Sequence, residues 1–295
     1  MANTAIVTDS TACLPKELVE QYGIEVVPIE FVSEGRIYHD EVNITPTEFY
    51  QLLTRVKKLP TTSPTSPGTY LEVFDKLVKK TSDILVITVS AKFSTMFGTA
   101  RIAAEAAREK LRNVTIEVLD CCTAAGAQGF VVLTAARAAA LGKSLAQVIE
   151  AAKSTMSRVY LVAFIDTLYY LVKSGRVPLV ASWATSLLNI KPVFQILPLS
   201  GEASLLQRVR TKPRAIDCLL QGVKEKTKGN PVHAIIMHSN VLDEAEELKS
   251  RVKSEFDCVE IHIKDFTPAM GVHIGPGMLG IAFYVEDSAT LLSTS

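Results

Sequence analysis

Short apolar runs recur along the first half of the chain, each closing in a polar cluster and followed by apolar positions at helical spacing. Residues 5–8 run into Asp9-Ser10-Thr11, and Leu14-Pro15 then opens a helix to about Tyr22. Residues 83–89 run into Ser90-Ala91-Lys92-Phe93-Ser94 ahead of an alanine-rich helix. Residues 115–119 run into Asp120-Cys121-Cys122-Thr123 ahead of a long helix over about 127–141. A continuous apolar strand such as Ile84 to Val89 is buried on both faces, the habit of a parallel sheet covered by helices. Strand, polar loop and helix three times over predict a doubly wound α/β domain, with its polar loops at the carboxyl edge where open sheets place ligands.

Two stretches interrupt that rhythm. Residues 24–32, broken by Pro28 and Glu30, predict an edge strand that Glu34-Gly35-Arg36 turns into Ile37-Tyr38, a small hairpin. A helix capped by Thr45, with Pro46 in its first turn and Glu48 placed for a capping box, then ends before Pro60. Residues 60–68 hold five hydroxyls and three prolines in nine positions. Proline stiffens such a loop, and Tyr70, Leu71, Phe74 and Leu77 follow at helical spacing, so the loop feeds an amphipathic helix. Hydroxyls and amides converging on a helix start suit a carboxylate or phosphate, and a decorated N-cap accounts for the same residues.

The pattern changes after about Ser157. Strands at 159–164, 232–238, 258–266 and 278–285, helices at 167–173, 181–188, 212–226 and 242–255, a hairpin at 191–209 and a glycine-rich turn at 271–277 predict an α+β domain. The expected division is 1–157, with a hairpin insertion at about 24–42, and 158–295, with a ligand between the two.

Composition narrows the function. The 31 basic and 31 acidic side chains cancel without a basic run, which argues against nucleic acid as partner. The apolar fraction of 48% predicts a large core, yet no run approaches a membrane span, and the first ten residues lack a signal-peptide pattern. Five cysteines without metal spacing suit a reducing cytoplasm. His273, set between glycines, is the histidine that stands out as a functional candidate; His39, His233, His238 and His262 fall in strands or hairpins. A hydrolase would need Ser94 and His273 with Asp9 or Asp120, without any Gly-x-Ser-x-Gly elbow to support it. Adjacent Cys121 and Cys122 lack the Cys-x-x-Cys spacing of a redox pair.

Taken together, Thr8-Asp9-Ser10 with Leu14-Pro15, Thr62-Ser63 with Ser66-Pro67-Gly68, Ser90 and Ser94, Ser174-Gly175-Arg176, Arg210-Thr211, and His273-Ile274-Gly275-Pro276-Gly277 resemble the DegV family of fatty-acid-binding proteins over nearly the full length. The resemblance implies an α/β domain and an α+β domain with one long-chain fatty acid in a tunnel between them. It matches Thr62, with Ser63 beside it, and Ser94 to the hydroxyls that hold the carboxylate, and it places His273 and Arg210 near the head group or the partner surface. Phe93 and Ile165 are the expected tunnel wall. The family also implies that a separate ATP-binding kinase subunit phosphorylates the bound acid, with Arg176, Arg210 and His273 facing the transfer or the partner; Arg176 could equally serve a helix end. The chain has no Gly-x-x-x-x-Gly-Lys-Ser/Thr loop, so any nucleotide would come with that subunit. No cofactor or metal is expected, nor stable membrane insertion, although transient membrane contact fits a lipid ligand. A carrier or sensor without a kinase is the alternative. Two motifs depart from the family pattern: Thr-Ser-x-Pro-Ser reads Thr62-Ser63-Pro64-Thr65-Ser66, and Ser-Gly-Thr reads Ser94-Thr95-Met96.

Overall fold

The structure is a computed structural model that describes residues 4–63, 65–111, 113–175 and 190–286. Strand β1 (Ala5–Asp9) leads through a 3-10 turn, Ser10–Ala12, to α1 (Lys16–Tyr22) and then β2 (Glu25–Val27). The hairpin β3 (Glu30–Ser33) and β4 (Arg36–His39) is followed by α2 (Pro46–Leu53), with both halves of its Thr45–Glu48 capping box formed, and by β5 (Thr61–Ser63). Alternation then runs through α3 (Pro67–Leu77), β6 (Asp83–Thr88), α4 (Met96–Lys110), β7 (Thr115–Asp120), α5 (Ala125–Ala140) and α6 (Leu145–Met156). The second half comprises β8 (Val159–Phe164), α7 (Tyr169–Lys173), β9 (Lys191–Ile196), β10 (Ala203–Val209), α8 (Lys212–Thr227) and β11 (Val232–His238). It closes with α9 (Leu242–Glu255), β12 (Cys258–Asp265), α10 (Pro268–Ile274) and β13 (Leu279–Val285).

The described strands form three sheets. A parallel one runs β2-β1-β6-β7, a six-stranded mixed one runs β10-β9-β8-β13-β11-β12, and a small antiparallel one runs β4-β3-β5. Helix α5 lies between the first two. Thirteen of its sixteen residues are buried, so it has no solvent face, the mark of a helix covered on all sides. Small residues let both neighbours approach. A methyl group on Gly126 would meet Ala282, Met237 and Ile235 of the six-stranded sheet. One on Gly129 would sit 2.5 Å from the Ala12 carbonyl oxygen, on the parallel-sheet side. A single core therefore takes in Val86 and Ile116 from one sheet and Leu161, Ile235 and Ala282 from the other.

A charged strut braces the far part of α5. Arg137 forms two parallel hydrogen bonds of 2.8 and 2.7 Å to Glu260 on β12, and the same carboxylate meets His233 Nδ1 at 2.6 Å and His262 Nε2 at 3.1 Å. Burial pushes the Glu260 carboxyl upward, but contacts with His233, His262 and Arg137 outweigh it and hold the group well below the usual carboxylate range.

Three local expectations need correction. The run at 24–32 is two strands, because Pro28 cannot donate to a ladder: β2 joins the parallel sheet, and β3 turns away into the small one. The insertion at about 24–42 is accordingly a three-stranded sheet that recruits β5. Thr61–Ser63, read as loop, is that third strand; three hydroxyl residues are too few for a period-two signal. The glycine-rich turn at 271–277 is mostly helix. Gly271 sits inside α10 because Phe49 and Tyr50 press on it, with a Phe49 ring atom 2.6 Å from where a Cβ would be, and Gly275 and Gly277 (φ +71° and +89°) make the turn that follows. The helix expected at 181–188 lies outside the described residues.

The space beside two helical glycines predicts opposite signs for their substitution. Gly129→Ala is expected to destabilise by about 1–3 kcal/mol, because the added carbon meets rigid backbone. Gly98→Ala in α4, with nothing within 4 Å, is expected to gain roughly 0.5–1 kcal/mol from helix propensity. Urea denaturation of both variants checks the pair, and a neutral Gly129→Ala would refute the close approach.

Candidate ligand cavity

A cavity of about 610 Å³ opens between the parallel-sheet domain and the six-stranded sheet. Its walls are predominantly apolar: Leu161 and Ile196 from β8 and β9, Phe194, Phe266, Met270 and Ile274 from the second half, Ile29 and Val89 from the first. Small residues at the start of α5, Ala124 and Ala125, also line it. Hydroxyls enter from the strand ends and loops of the first half, and one imidazole from α10. Thr62 Oγ1 lies 3.2 Å from His273 Nε2, which joins β5 to α10 across the space. Ser94 lines the cavity while its oxygen accepts a long bond of 3.4 Å from the Met96 N–H at the start of α4.

Buried carboxylates hold these elements. Asp9 accepts from Thr11 N–H at 3.1 Å, Val89 N–H at 2.9 Å and Gln128 Nε2 at 3.2 Å, and also from the Thr11 hydroxyl. One side chain thereby fixes β1, β6 and α5 at the edge where Thr11 and Val89 reach the cavity. Burial raises its pKa against the pull of those hydrogen bonds. Asp40, 2% exposed, accepts from Ser10 Oγ at 2.6 Å and from the Ala269 N–H of α10 at 2.9 Å, and burial pushes its carboxyl up to about 6. At the rim, Lys92 pairs with Glu202, and Gly201 N–H donates to the Cys122 carbonyl at 3.0 Å, so the β9–β10 hairpin rests on the first domain's loops. Among the described residues no group of three or more His, Cys, Asp or Glu could hold a metal ion, and no helix is long and apolar enough to cross a membrane.

Residues 3–286 match the family model of an uncharacterised protein of the DegV family. The chain belongs to the DegV family. A DegV domain-containing protein of Clostridium perfringens is 33% identical over 283 residues, 96% of this chain and 99% of its own length. The fatty-acid-binding DegV family protein of Thermus thermophilus superposes with a TM-score of 0.88 at 27% identity, over 96% of this chain and all of that one. A stearic acid-binding protein of Eubacterium ventriosum gives 0.87 at 26% identity, over 97% and 98%. The two-domain architecture is thus that of DegV proteins that bind fatty acids.

Six residues singled out from the sequence, Thr62, Ser63, Phe93, Ser94, Ile165 and His273, line the DegV cavity. Arg210 does not; it is exposed at the end of β10. Arg176 lies outside the described residues. The two carboxylates that a hydrolase would have used are engaged elsewhere. Asp9 serves the network above, and Asp120 accepts from Ala91 N–H at 3.2 Å and Cys122 N–H at 2.9 Å. The sequence did not single out Thr11 or the supporting Asp40. Thr11 stood in the polar cluster after the first strand with no signal of its own; Asp40 follows a hairpin strand with no periodic signal to mark it.

Asp40 generates a pH dependence whose sign is fixed. Its folded pKa of about 6 stands above the unfolded value of about 4, so the folded chain holds a proton that the unfolded chain lacks within that window. Stability contributed by this group is present near pH 4 and lost as pH rises through 6, by up to about 3 kcal/mol. Asp9 acts in the same direction and Glu260 in the opposite one, so the reading is a difference. Urea denaturation of wild type and Asp40→Asn between pH 4 and 7 should show the wild type losing ground to the variant as pH rises. A constant difference would mean that the carboxyl does not titrate there.

Proposed function

We propose that the chain binds a single long-chain fatty acid in this cavity and presents its carboxylate to a separate ATP-binding kinase, which converts it to an acyl phosphate. The observation that carries the reading is the shape of the site: an apolar space of about 610 Å³ with hydroxyls and one imidazole on its walls. Fatty acid binding by structurally similar DegV proteins supports it. The carboxylate is set at Thr62, Ser63, Ser94 and His273, and the acyl chain along walls that include Phe93 and Ile165.

Magnitudes divide the work between tail and head. Roughly 15 methylenes at about 0.8 kcal/mol each offer on the order of 12 kcal/mol before ordering costs. Affinity comes from the tail. A buried polar group left unpaired costs about 1–3 kcal/mol, and a charged carboxylate more, so the head group needs placed hydroxyls. Hydroxyls satisfy it without a buried cation and leave an oxygen able to attack phosphorus, with ADP departing from the far side. Arg210, exposed and away from the cavity, suits contact with the kinase; Arg176 is assigned to that surface by its place in the sequence alone. The bound fatty acid is the ligand, no cofactor takes part, and the compartment is the cytoplasm.

Native mass spectrometry of the purified protein, with the released molecule identified, is expected to find one fatty acid per chain. With a kinase partner and ATP, Thr62→Ala combined with Ser94→Ala should lower acyl phosphate formation on the order of a hundredfold while lipid retention falls less than about tenfold. Equal losses would remove the division of labour. Binding with no phosphorylation of the wild type by any such partner would leave a lipid carrier, and refusal of added fatty acid would end the lipid reading.

A further inference from the structure

Asp40 does not line the cavity, yet its carboxylate joins the elements that bear the Thr62–His273 contact. One oxygen accepts from Ala269 N–H at the start of α10, and the other from the Ser10 hydroxyl. The Ser10 oxygen in turn accepts from Ile29 N–H at 3.1 Å, and the Asp40 N–H donates to the Ile29 carbonyl at 2.9 Å. Ile29 leads directly into β3, on which β5 and Thr62 are hydrogen-bonded, with Thr62 opposite Phe31. His273 stands four residues, about one turn, beyond Ala269 on α10. Both partners of the contact are thus referred to one carboxylate, through α10 on one side and through Ile29 and β3 on the other.

Helix α10 needs that support. It has seven residues, its N-cap Thr267 makes no side-chain capping bond to it, and Pro268 has no N–H to offer. A carboxylate 229 positions earlier in the chain takes the place of a local cap. We propose that Asp40 is a positioning residue for the head group: its carboxylate caps α10 from across the molecule and sets His273 against the Thr62 hydroxyl. The ligand half of this inference rests on the fatty acid reading above; the His273–Thr62 half does not.

The donors around Asp40 all point at an ionised carboxylate, whose hydrogen bonds are roughly twice as strong as neutral ones. The groups that face it are Glu41, paired with Lys264 of β12, the Cys13 thiol after β1, the Tyr50 hydroxyl of α2 and the Thr267 hydroxyl. Burial pushes Cys13 and Tyr50 upward, so both stay neutral near pH 6, while Lys264, raised despite its burial by Glu41, stays charged. Asp40 itself, pushed up by burial to about 6, changes charge in that range.

The test compares stearic acid with methyl stearate, which has the same tail without the charge, by displacement of a fluorescent fatty acid probe. At pH 7 Asp40→Asn is expected to weaken stearic acid on the order of tenfold and the ester by less than about twofold. Ser10→Ala, which removes one donor to the same carboxylate, should show the same preference at a smaller size and guards against a variant that fails to fold. Equal losses for acid and ester, or none for either, would overturn the proposal. If the wild type binds neither compound, the lipid reading is what fails. The positioning role is then judged on the ligand-free protein, where Asp40→Asn must shift the His273 ring signals in NMR as Thr62→Ala does, and an unmoved ring overturns it.

Discussion

Helix α5 is buried against two sheets at once, and that constraint organises the molecule. A helix without a solvent face can be covered on opposite sides only if its neighbours approach closely, and Gly126 and Gly129 provide the two clearances. The parallel sheet and the six-stranded sheet consequently share a core rather than meeting across a wet interface. Small domains held by separate cores move against each other by default; here the shared helix opposes it. The cavity lies where this packing runs out. At the amino end of α5 the alanines Ala124 and Ala125 are too small to fill the space between the carboxyl edge of one sheet and the face of the other.

Burying so much polypeptide strands polar groups, and the structure answers with carboxylates that each take several donors. Asp9 collects four hydrogen bonds from two loops and α5, and Asp40 collects donors from the β1 loop and α10. Burial works against the charge of both, which leaves them raised in pKa despite their partners. Stability near neutral pH is therefore spent on geometry. The return is a set of cavity walls tied together at their loops, since leaving these donors unpaired would cost about 1–3 kcal/mol for each.

How much of this the sequence discloses follows from how local each cause is. The three strand, loop and helix units were legible because long apolar runs and helical spacing carry strong periodic signals, and the hydroxyls Thr62 and Ser94 were legible because so many of them crowd into short loops. The DegV resemblance joined those clusters and supplied the ligand class. What stayed hidden is what depends on distant partners. Gly271 reads as a turn residue until the rings of Phe49 and Tyr50 are seen against it. Thr61–Ser63 reads as a loop until β3 lies alongside. Asp40 reads as the end of a hairpin, and nothing within ten residues of it shows that a helix beginning 228 positions later needs a cap.

The proposed head-group partners bear on what the site could do. Among the described residues, the lysine on the cavity wall, Lys92, is held at the rim by Glu202, and the side-chain donors further in are hydroxyls and His273. A carboxylate paired with a buried cation would be a poorer nucleophile. Hydroxyls and an imidazole would orient the oxygens while leaving electron density on them. The apolar walls can then be left to supply the affinity, so the polar end is free to be shaped for reaction. On the proposed reading, in which the carboxylate passes to a second protein, that separation is what keeps the head group reactive while the tail holds the ligand in place.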